Sequence, residues 1–426
     1  MDRRQFFGQF LALFSGTVLA QLFNLASYPL LARLYTPADF GVLGTFIAAA
    51  AIPGALACGR FELAIPLAAH SGRRAILWLC FALSLAVAIG ATMVFALYWS
   101  WTGAPHLWLF APLLFVAVIL TGVVNATTMF LMRHESFRFA SSGTVLRTAA
   151  TVLIQLGFAF TVPGAAGLVI GFCAGLVAQA VLGLAVAIRN HGIGRPQRRG
   201  MAAMFQRFRP QVIVDVPGST LAAVSINAIP FFLQALYGIK AVGHFSLGQR
   251  VAVLPLQLFN DSLSQVFYQR AARAQEERGE FWAEFRFALL WSGAISLAML
   301  TGLLLFARPV IAIYLGAQWE LAGEILVILA PMLAVRSVTS SLGAAALVLR
   351  RPVWLLWHNL ASAATIAIAA LAAKIWDLGF LDFLRLFSLL QGAEYAAYCV
   401  VLFWAARLGR DALDSRTKAK LPNVIQ

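Results

Sequence analysis

Charge is what this sequence has least of. Only 12% of its 426 residues are Asp, Glu, Lys or Arg, about half of the roughly 25% that a soluble domain carries. Hydrophobic residues make up 61% and the mean hydropathy is +0.82. A chain this long with so little charge cannot coat a globular surface, which excludes a soluble enzyme, a nucleic-acid binder and a disulfide-rich secreted protein. Cysteine is scarce as well. Cys58, Cys80, Cys173 and Cys399 stand singly in apolar runs, with no CxxC and no histidine cluster beside them, so buried, reduced thiols are expected rather than a redox or zinc site. The six histidines (His70, His106, His134, His191, His244, His358) fall mainly in loops or at span ends and make no metal spacing or catalytic constellation. No metal, no cofactor and no enzymatic activity is expected.

What is there instead is uncharged length. Residues 5–32, 40–59, 216–239, 287–307 and 353–373 contain no Asp, Glu, Lys or Arg. The gap 75–132 holds two crossings, with a break around Trp101, Gly103, Pro105 and His106, and 148–188 holds most of one and all of another, hinged at Pro163 and Gly164. A hydrocarbon core takes about 20 helical residues, and an open sheet cannot satisfy its backbone there. Three further apolar stretches, each interrupted by one or two charges, bring the expected spans to about 12: 8–32, 40–62, 76–100, 108–132, 139–161, 166–188, 211–236, 244–268, 287–307, 322–348, 353–375 and 386–406. The pattern predicts an all-α, polytopic membrane protein. Arg3 and Arg4 would suit a signal peptide, but the first apolar stretch is too long and eleven more follow.

Lys and Arg set the orientation. With the N-terminus inside, 23 of the 32 basic residues fall in cytoplasmic segments and five (Arg33, Lys240, Arg308, Lys374, Arg385) fall outside. Both termini are then cytoplasmic, and the net charge of +15 is mostly topology. The basic loop 189–209 reads as an anchor against anionic headgroups rather than a nucleic-acid patch. Trp78, Trp99, Trp101, Trp108, Trp354, Trp357, Trp376 and Trp404 lie near span ends as an aromatic belt.

That loop divides six spans from six. The expected organisation is an N-terminal six-helix half (1–188), a basic cytoplasmic linker (189–209), a C-terminal six-helix half (210–406) and a cytoplasmic tail (407–426). At an offset of 202 residues Leu31 meets Leu233, Leu34 meets Leu236, Tyr35 meets Tyr237 and Gly41 meets Gly243, the mark of a duplication. Six spans per copy make the copies parallel, with a central cavity between the halves as the expected substrate site.

Polar residues inside the spans fall on helical stripes. They are Thr17, Gln21 and Asn24; Thr121, Asn125 and Thr128; Thr144, Arg147, Thr148, Thr151 and Gln155; Arg250, Gln257, Asp261 and Ser264; and Arg336, Thr339 and Ser340. Spans three, six and nine have almost none and suit lipid-facing positions. Ser, Thr and Asn serve equally well as hydrogen-bonding glue between helices. Arginine is different, since mid-helix it costs about 2.5–3.5 kcal/mol on translocon scales. Arg60 is near enough to the interface to snorkel and Arg250 could meet a local acid, but both, with Gln21, Asn24, Asn125, Gln155 and Gln257, are expected to line the substrate cavity. Arg147 and Arg336 lie deep with no acid within a turn, so they are expected to face an anion-attracting cavity. The membrane acids Asp215, Asp261, Glu62 and Glu394 either hold a coupling cation, Na⁺ or H⁺, or pair with those arginines. Arg60 and Glu62, two apart, are expected on opposite sides of a helix and so not paired.

The text around the second span is more specific. PLLARLYTPADFGVLGTF (Pro29–Phe46) followed by GRFELAIPLA (Gly59–Ala68) resembles the bacterial oligosaccharide flippases, the polysaccharide transporter family, with Arg33, Pro37, Phe40, Gly41, Arg60, Glu62 and Pro66 carrying the match. The resemblance implies a multi-pass inner-membrane protein that moves an undecaprenyl-pyrophosphate-linked oligosaccharide (an O-antigen, capsule or exopolysaccharide unit) to the periplasmic leaflet by alternating access. Its partners would be that glycan, the bilayer and, as an open alternative, glycan polymerase machinery. A cation-coupled multidrug and toxin extrusion exporter is the first alternative, although four arginines would repel its cargo. An intramembrane glycan ligase or polymerase is the second, although no outer loop holds an acid or histidine cluster.

Overall fold

The computed structural model describes residues 3–102, 110–161, 164–192, 194, 198–351 and 353–419. The expected break at 103–106 lies outside the described residues, apart from Trp101, whose backbone alone is described, and so does Pro163 of the second hinge. Every regular element described is helical: α1 (Arg3–Leu34), α2 (Pro37–Leu56), α3 (His70–Thr102), α4 (Ala111–Arg133), α5 (Phe137–Ala159), α6 (Ala166–His191), α7 (Arg198–Asn227), α8 (Ile229–Tyr237), α9 (Ile239–Arg278), α10 (Trp282–Leu315), α11 (Glu320–Leu342), α12 (Ala345–Val348), α13 (Val353–Ile375) and α14 (Phe380–Ala419). Among the described residues nine helical stretches are long and apolar enough to cross a membrane. Helices α1, α5 and α9, which carry polar stripes, occupy the other three expected spans. The protein is an all-α, multi-pass membrane protein.

The chain forms two compact units, Met1–Ser246 and Leu247–Gln426. The boundary falls inside α9, later than the polar linker, because α7 packs on α2 and α3 and α8 packs on α2. The compact units follow this packing and do not coincide with the expected halves. The segment between α6 and α7 is also shorter than the expected 189–209, since α6 runs to His191 and α7 starts at Arg198.

In the first unit, the T-P-x-D text of the motif is a helix start. Asp39 N–H donates to Thr36 Oγ1 at 3.3 Å, and the Asp39 carboxylate accepts from Thr36 N–H at 2.9 Å. Pro37 fills the first helical position, where a missing N–H is harmless. Helix α2 ends at Leu56, six residues short of the expected span. Gly59 and Arg60 both adopt left-handed backbone (φ 54° and 63°), which no α-helix tolerates, and Phe61–Ala64 then forms one 3-10 turn. That turn is bedded on Ile76, Leu77 and Cys80 of α3 and Phe130 of α4, and Phe61 stacks on Phe205 of α7, with ring centroids 5.4 Å apart.

Helix α6 follows α5 closely through glycines. A Cβ on Gly171 would lie 2.9 Å from the Thr151 carbonyl oxygen, and one on Gly175 2.6 Å from that of Arg147. Small residues at four-residue intervals permit this approach of two backbones. The expectation that span six faces lipid is therefore overturned: half of the apolar window of α6 is buried, against 22% for α3 and 11% for α10.

The second unit is built on α10 against α11 and α11 against α14. One of its cores is largely aromatic, with Phe267, Phe281, Phe285, Tyr398 and Leu402 buried together and Trp282 stacked on Phe285. Glu324, one of the charges interrupting the tenth apolar stretch, is paired with Arg308 at 3.2 Å. All four cysteines are free, as expected, and three are buried.

Candidate functional site

The break after α2 makes a site. Arg60, Leu63 and Leu67 of the connection, with Phe208, Val212 and Asp215 of α7, line an open cavity of about 570 Å³. Arg60 Nη1 lies 3.5 Å from Glu62 Oε1, with Glu62 buried and Arg60 about a third exposed. This corrects the expectation that the two do not pair: they sit on a left-handed residue and a 3-10 turn rather than on a helix, so two-residue spacing no longer separates them. Burial pushes the Glu62 carboxyl up, opposed by a backbone hydrogen bond and by Arg60. Arg60 shares this cavity wall with Asp215, and its charge is already balanced by Glu62.

Arg147 is placed differently. It lies half-buried on α5, its guanidinium carbon 5.6 Å from the centre of the Phe172 ring of α6, a cation–π contact. Neighbouring Thr148 donates to the Thr144 carbonyl of its own helix at 3.1 Å. Gln155, expected to line the cavity, is instead committed to packing. It is buried, its side-chain amide donates to the Leu168 carbonyl at 2.9 Å, and its main-chain carbonyl accepts from Tyr35 Oη at 2.6 Å. Gln21, Asn24 and Asn125 are half-buried, and Gln21 Oε1 has no hydrogen-bond partner among the described residues.

In the second unit Arg250 and Arg336 are half-buried, while Gln257 and Asp261 are exposed. Among the described residues Arg147, Arg250 and Arg336 make no ion pair. Among the described residues the acids thus do not neutralise these arginines, and the alternative of a local pair for Arg250 finds no partner there. Glu394 has a partner of another kind: its Oε1 lies 2.7 Å from His358 Nδ1. His358, expected to pack at an interface, stands inside α13 with its ring stacked on Tyr398.

One polar residue escaped the sequence analysis. Asn260, one place before Asp261, is buried, and its Oδ1 accepts from Ser337 at 2.9 Å and Ser341 at 3.3 Å. The signal was present, since Asn260 and Ser264 fall four apart, but the adjacent charge drew the stripe to the wrong face. No group of three or more His, Cys, Asp or Glu is placed to hold a metal ion among the described residues.

Comparison with known proteins agrees with this architecture. A family described as "Polysaccharide biosynthesis protein" matches residues 30–323. No curated protein sequence matches the chain. Among solved structures, an inward-facing multidrug resistance MATE transporter of the MOP superfamily aligns over 95% of each chain at TM-score 0.67 and 17% identity. The lipid II flippase MurJ in an inward-closed conformation aligns over 96% of this chain and 93% of its own at 0.69 and 14%. A MOP-superfamily transporter from Pyrococcus furiosus, described as having a binding pocket of reversed polarity, aligns over 95% of each chain at 0.63 and 18%. At these identities the structural matches speak for the fold, and the match over 30–323 speaks for the family. The chain belongs to the polysaccharide biosynthesis protein family and has the all-α fold of the MOP-superfamily transporters.

Proposed function

We propose that this protein is a flippase for a lipid-linked oligosaccharide carried on a polyprenyl pyrophosphate, moving it from the cytoplasmic to the periplasmic leaflet of a bacterial inner membrane by alternating access. The observation that carries the reading is the set of three half-buried arginines, Arg147, Arg250 and Arg336, without acid partners among the described residues. A guanidinium within a membrane-spanning helix is costly unless it meets an anion or water, and a pyrophosphate is matched by its planar fork of donors. The head of such a lipid is anionic and hydrated, and dragging it bare through hydrocarbon costs many kcal/mol. Arginines and side-chain amides such as Gln21 and Asn125 would replace its water while the prenyl tail stays in lipid. An exporter of cations fits poorly, because unpaired arginines repel that cargo.

With the cytoplasm negative, outward movement of an anion is favoured by about 2.3 kcal/mol per charge per 100 mV, so the membrane potential supplies drive. The glycan polymerase that consumes the unit is the natural partner on the outer face. The test is complementation of a flippase-deficient strain. Arg147→Ala and Arg336→Ala are each expected to reduce surface glycan at unchanged membrane levels of the protein, and normal glycan from both would dismiss the reading.

A further inference from the structure

The second unit holds a buried acid–base pair for which an anion-binding role has no use. On α13, His358, Ser362 and Thr365 fall at i, i+4 and i+7, and on α14, Gln391, Glu394 and Tyr398 fall at i, i+3 and i+7, so each set forms one stripe. The stripes meet. His358 Nδ1 lies 2.7 Å from Glu394 Oε1, and Thr365 Oγ1 donates to Gln391 Oε1 at 2.7 Å, with Ser362 bonded to the same amide. The side chains of His358 and Glu394 are 12% and 9% exposed. The other carboxylate oxygen, Glu394 Oε2, and Tyr398 Oη are both buried without hydrogen-bond partners among the described residues.

We infer that the His358–Glu394 pair is a proton-binding site of the transporter, an inference that rests on the transport reading above. The pair has an odd charge count. With one proton between them it is neutral overall, as imidazolium and carboxylate. With none it leaves a net negative charge in the membrane, and with two a net positive one. Only the neutral state suits hydrocarbon without a counter-ion, so each change of occupancy is tied to a change of surroundings. The chemistry fits H⁺ and not Na⁺, because one carboxylate oxygen is taken by an imidazole nitrogen and Na⁺ prefers oxygen donors.

The neighbours are few. Tyr395 and Tyr398 of α14 lie with ring centroids 5.5 and 4.2 Å from that of His358, and Cys399 packs into the aromatic core beneath. On α11, Thr339 donates to the Tyr395 carbonyl and Met332 Cα lies 3.6 Å from where a Cβ on Gly392 would be. Arg336 is therefore level with Glu394, yet makes no ion pair with it. Helix α10 brings Trp282 against Phe403, and its acid Glu284 is held by Arg278. Helix α12 has no titratable side chain. Access is short: Trp354, one turn before His358, lines an open cavity of about 570 Å³ that also touches Arg351 and Trp404.

Two measurements decide the matter. In full-length protein in lipid nanodiscs labelled with ¹⁵N-histidine, the resonance lost in His358→Gln is expected to respond to pH, and that response is expected to change in Glu394→Gln. A resonance that does not titrate, does not respond to Glu394→Gln, or moves with added NaCl at fixed pH overturns the assignment. In proteoliposomes loaded with a fluorescent lipid-linked glycan, wild-type flipping is expected to respond to an imposed pH gradient, and both variants are expected to lose that response. No flipping by wild type would count against the transport reading itself. Wild-type flipping indifferent to the gradient, with His358 titrating normally, would overturn proton coupling alone.

Discussion

Gly41 of α2 and Gly243 of α9, equivalent positions at the 202-residue offset, meet backbone to backbone. A Cβ on Gly243 would lie 1.7 Å from the Pro37 carbonyl oxygen and 3.0 Å from the Gly41 nitrogen, and one on Gly41 would lie 2.0 Å from the Ile239 carbonyl oxygen. Pro37 and Ile239 are themselves equivalent at that offset. The contact is reciprocal: each glycine lies against the main chain of the other's helix.

Neither position accepts a side chain, because the clash is with backbone. Gly41→Val and Gly243→Val are each expected to destabilise by about 1–3 kcal/mol, the usual cost of overpacking, and to lower the thermal midpoint of the detergent-solubilised protein. Gly90→Ala is the control: nothing lies within 4 Å of its Cβ position, and alanine is the better helix former by about 1 kcal/mol. Equal melting of all three variants would show that the close approach does not matter.

The Arg60–Glu62 pair predicts a pH signature. Glu62 has its carboxyl pushed up by burial, with Arg60 pulling it down, so Arg60→Ala should raise it further. A carboxyl raised by folding favours the fold when protonated, and that contribution is lost as pH rises through the folded value. Arg60→Ala is therefore expected to lose about 1 kcal/mol at neutral pH, at the low end for an orphaned buried charge because Arg60 is partly exposed. The deficit should shrink toward pH 4 and be absent in the Arg60→Ala, Glu62→Gln double variant. Melting curves of wild type and Arg60→Ala that run parallel from pH 4 to 8 would refute the pairing.

Asn260 holds α9 to α11 through two serines. Interhelical hydrogen bonds in membranes average about 0.6 kcal/mol, so Asn260→Ala should cost about 1 kcal/mol in thermal unfolding. Ser337→Ala should cost more than Ser341→Ala, because the Ser341 hydroxyl also reaches the Ser337 carbonyl at 3.1 Å. The reverse order would contradict the geometry.

Orientation is open to a direct check. A green fluorescent protein fused after Gln426 is expected to fluoresce and an alkaline phosphatase there to be inactive, with the reverse after residue 316, in the connection between α10 and α11. Activity of the phosphatase at the C-terminus would invert the topology.

The helices were legible because hydrocarbon imposes one rule on every residue of a span. Apolar stretches located α4, α5, α6 and α13 to within three residues at each end, and found α10 and α14 as the middles of longer helices. Legibility failed where a local backbone choice mattered. Apart from Arg60 and Glu62 the sequence there stays apolar, so the pattern continues the helix, and only left-handed backbone at Gly59 and Arg60 shows that it stops. It failed again at Gln155 and His358, where the question was which neighbour a polar group meets.

Composition and spacing by themselves determined that this chain is helical, crosses a membrane many times and carries four arginines needing a reason. Those properties are sums over residues or regularities along the chain. Which arginine is already balanced, which glutamine is spent on packing, and that Glu394 faces His358 were decided by tertiary structure alone. Each depends on atoms brought within about 3–6 Å from positions up to 120 residues apart, and no local pattern encodes that distance.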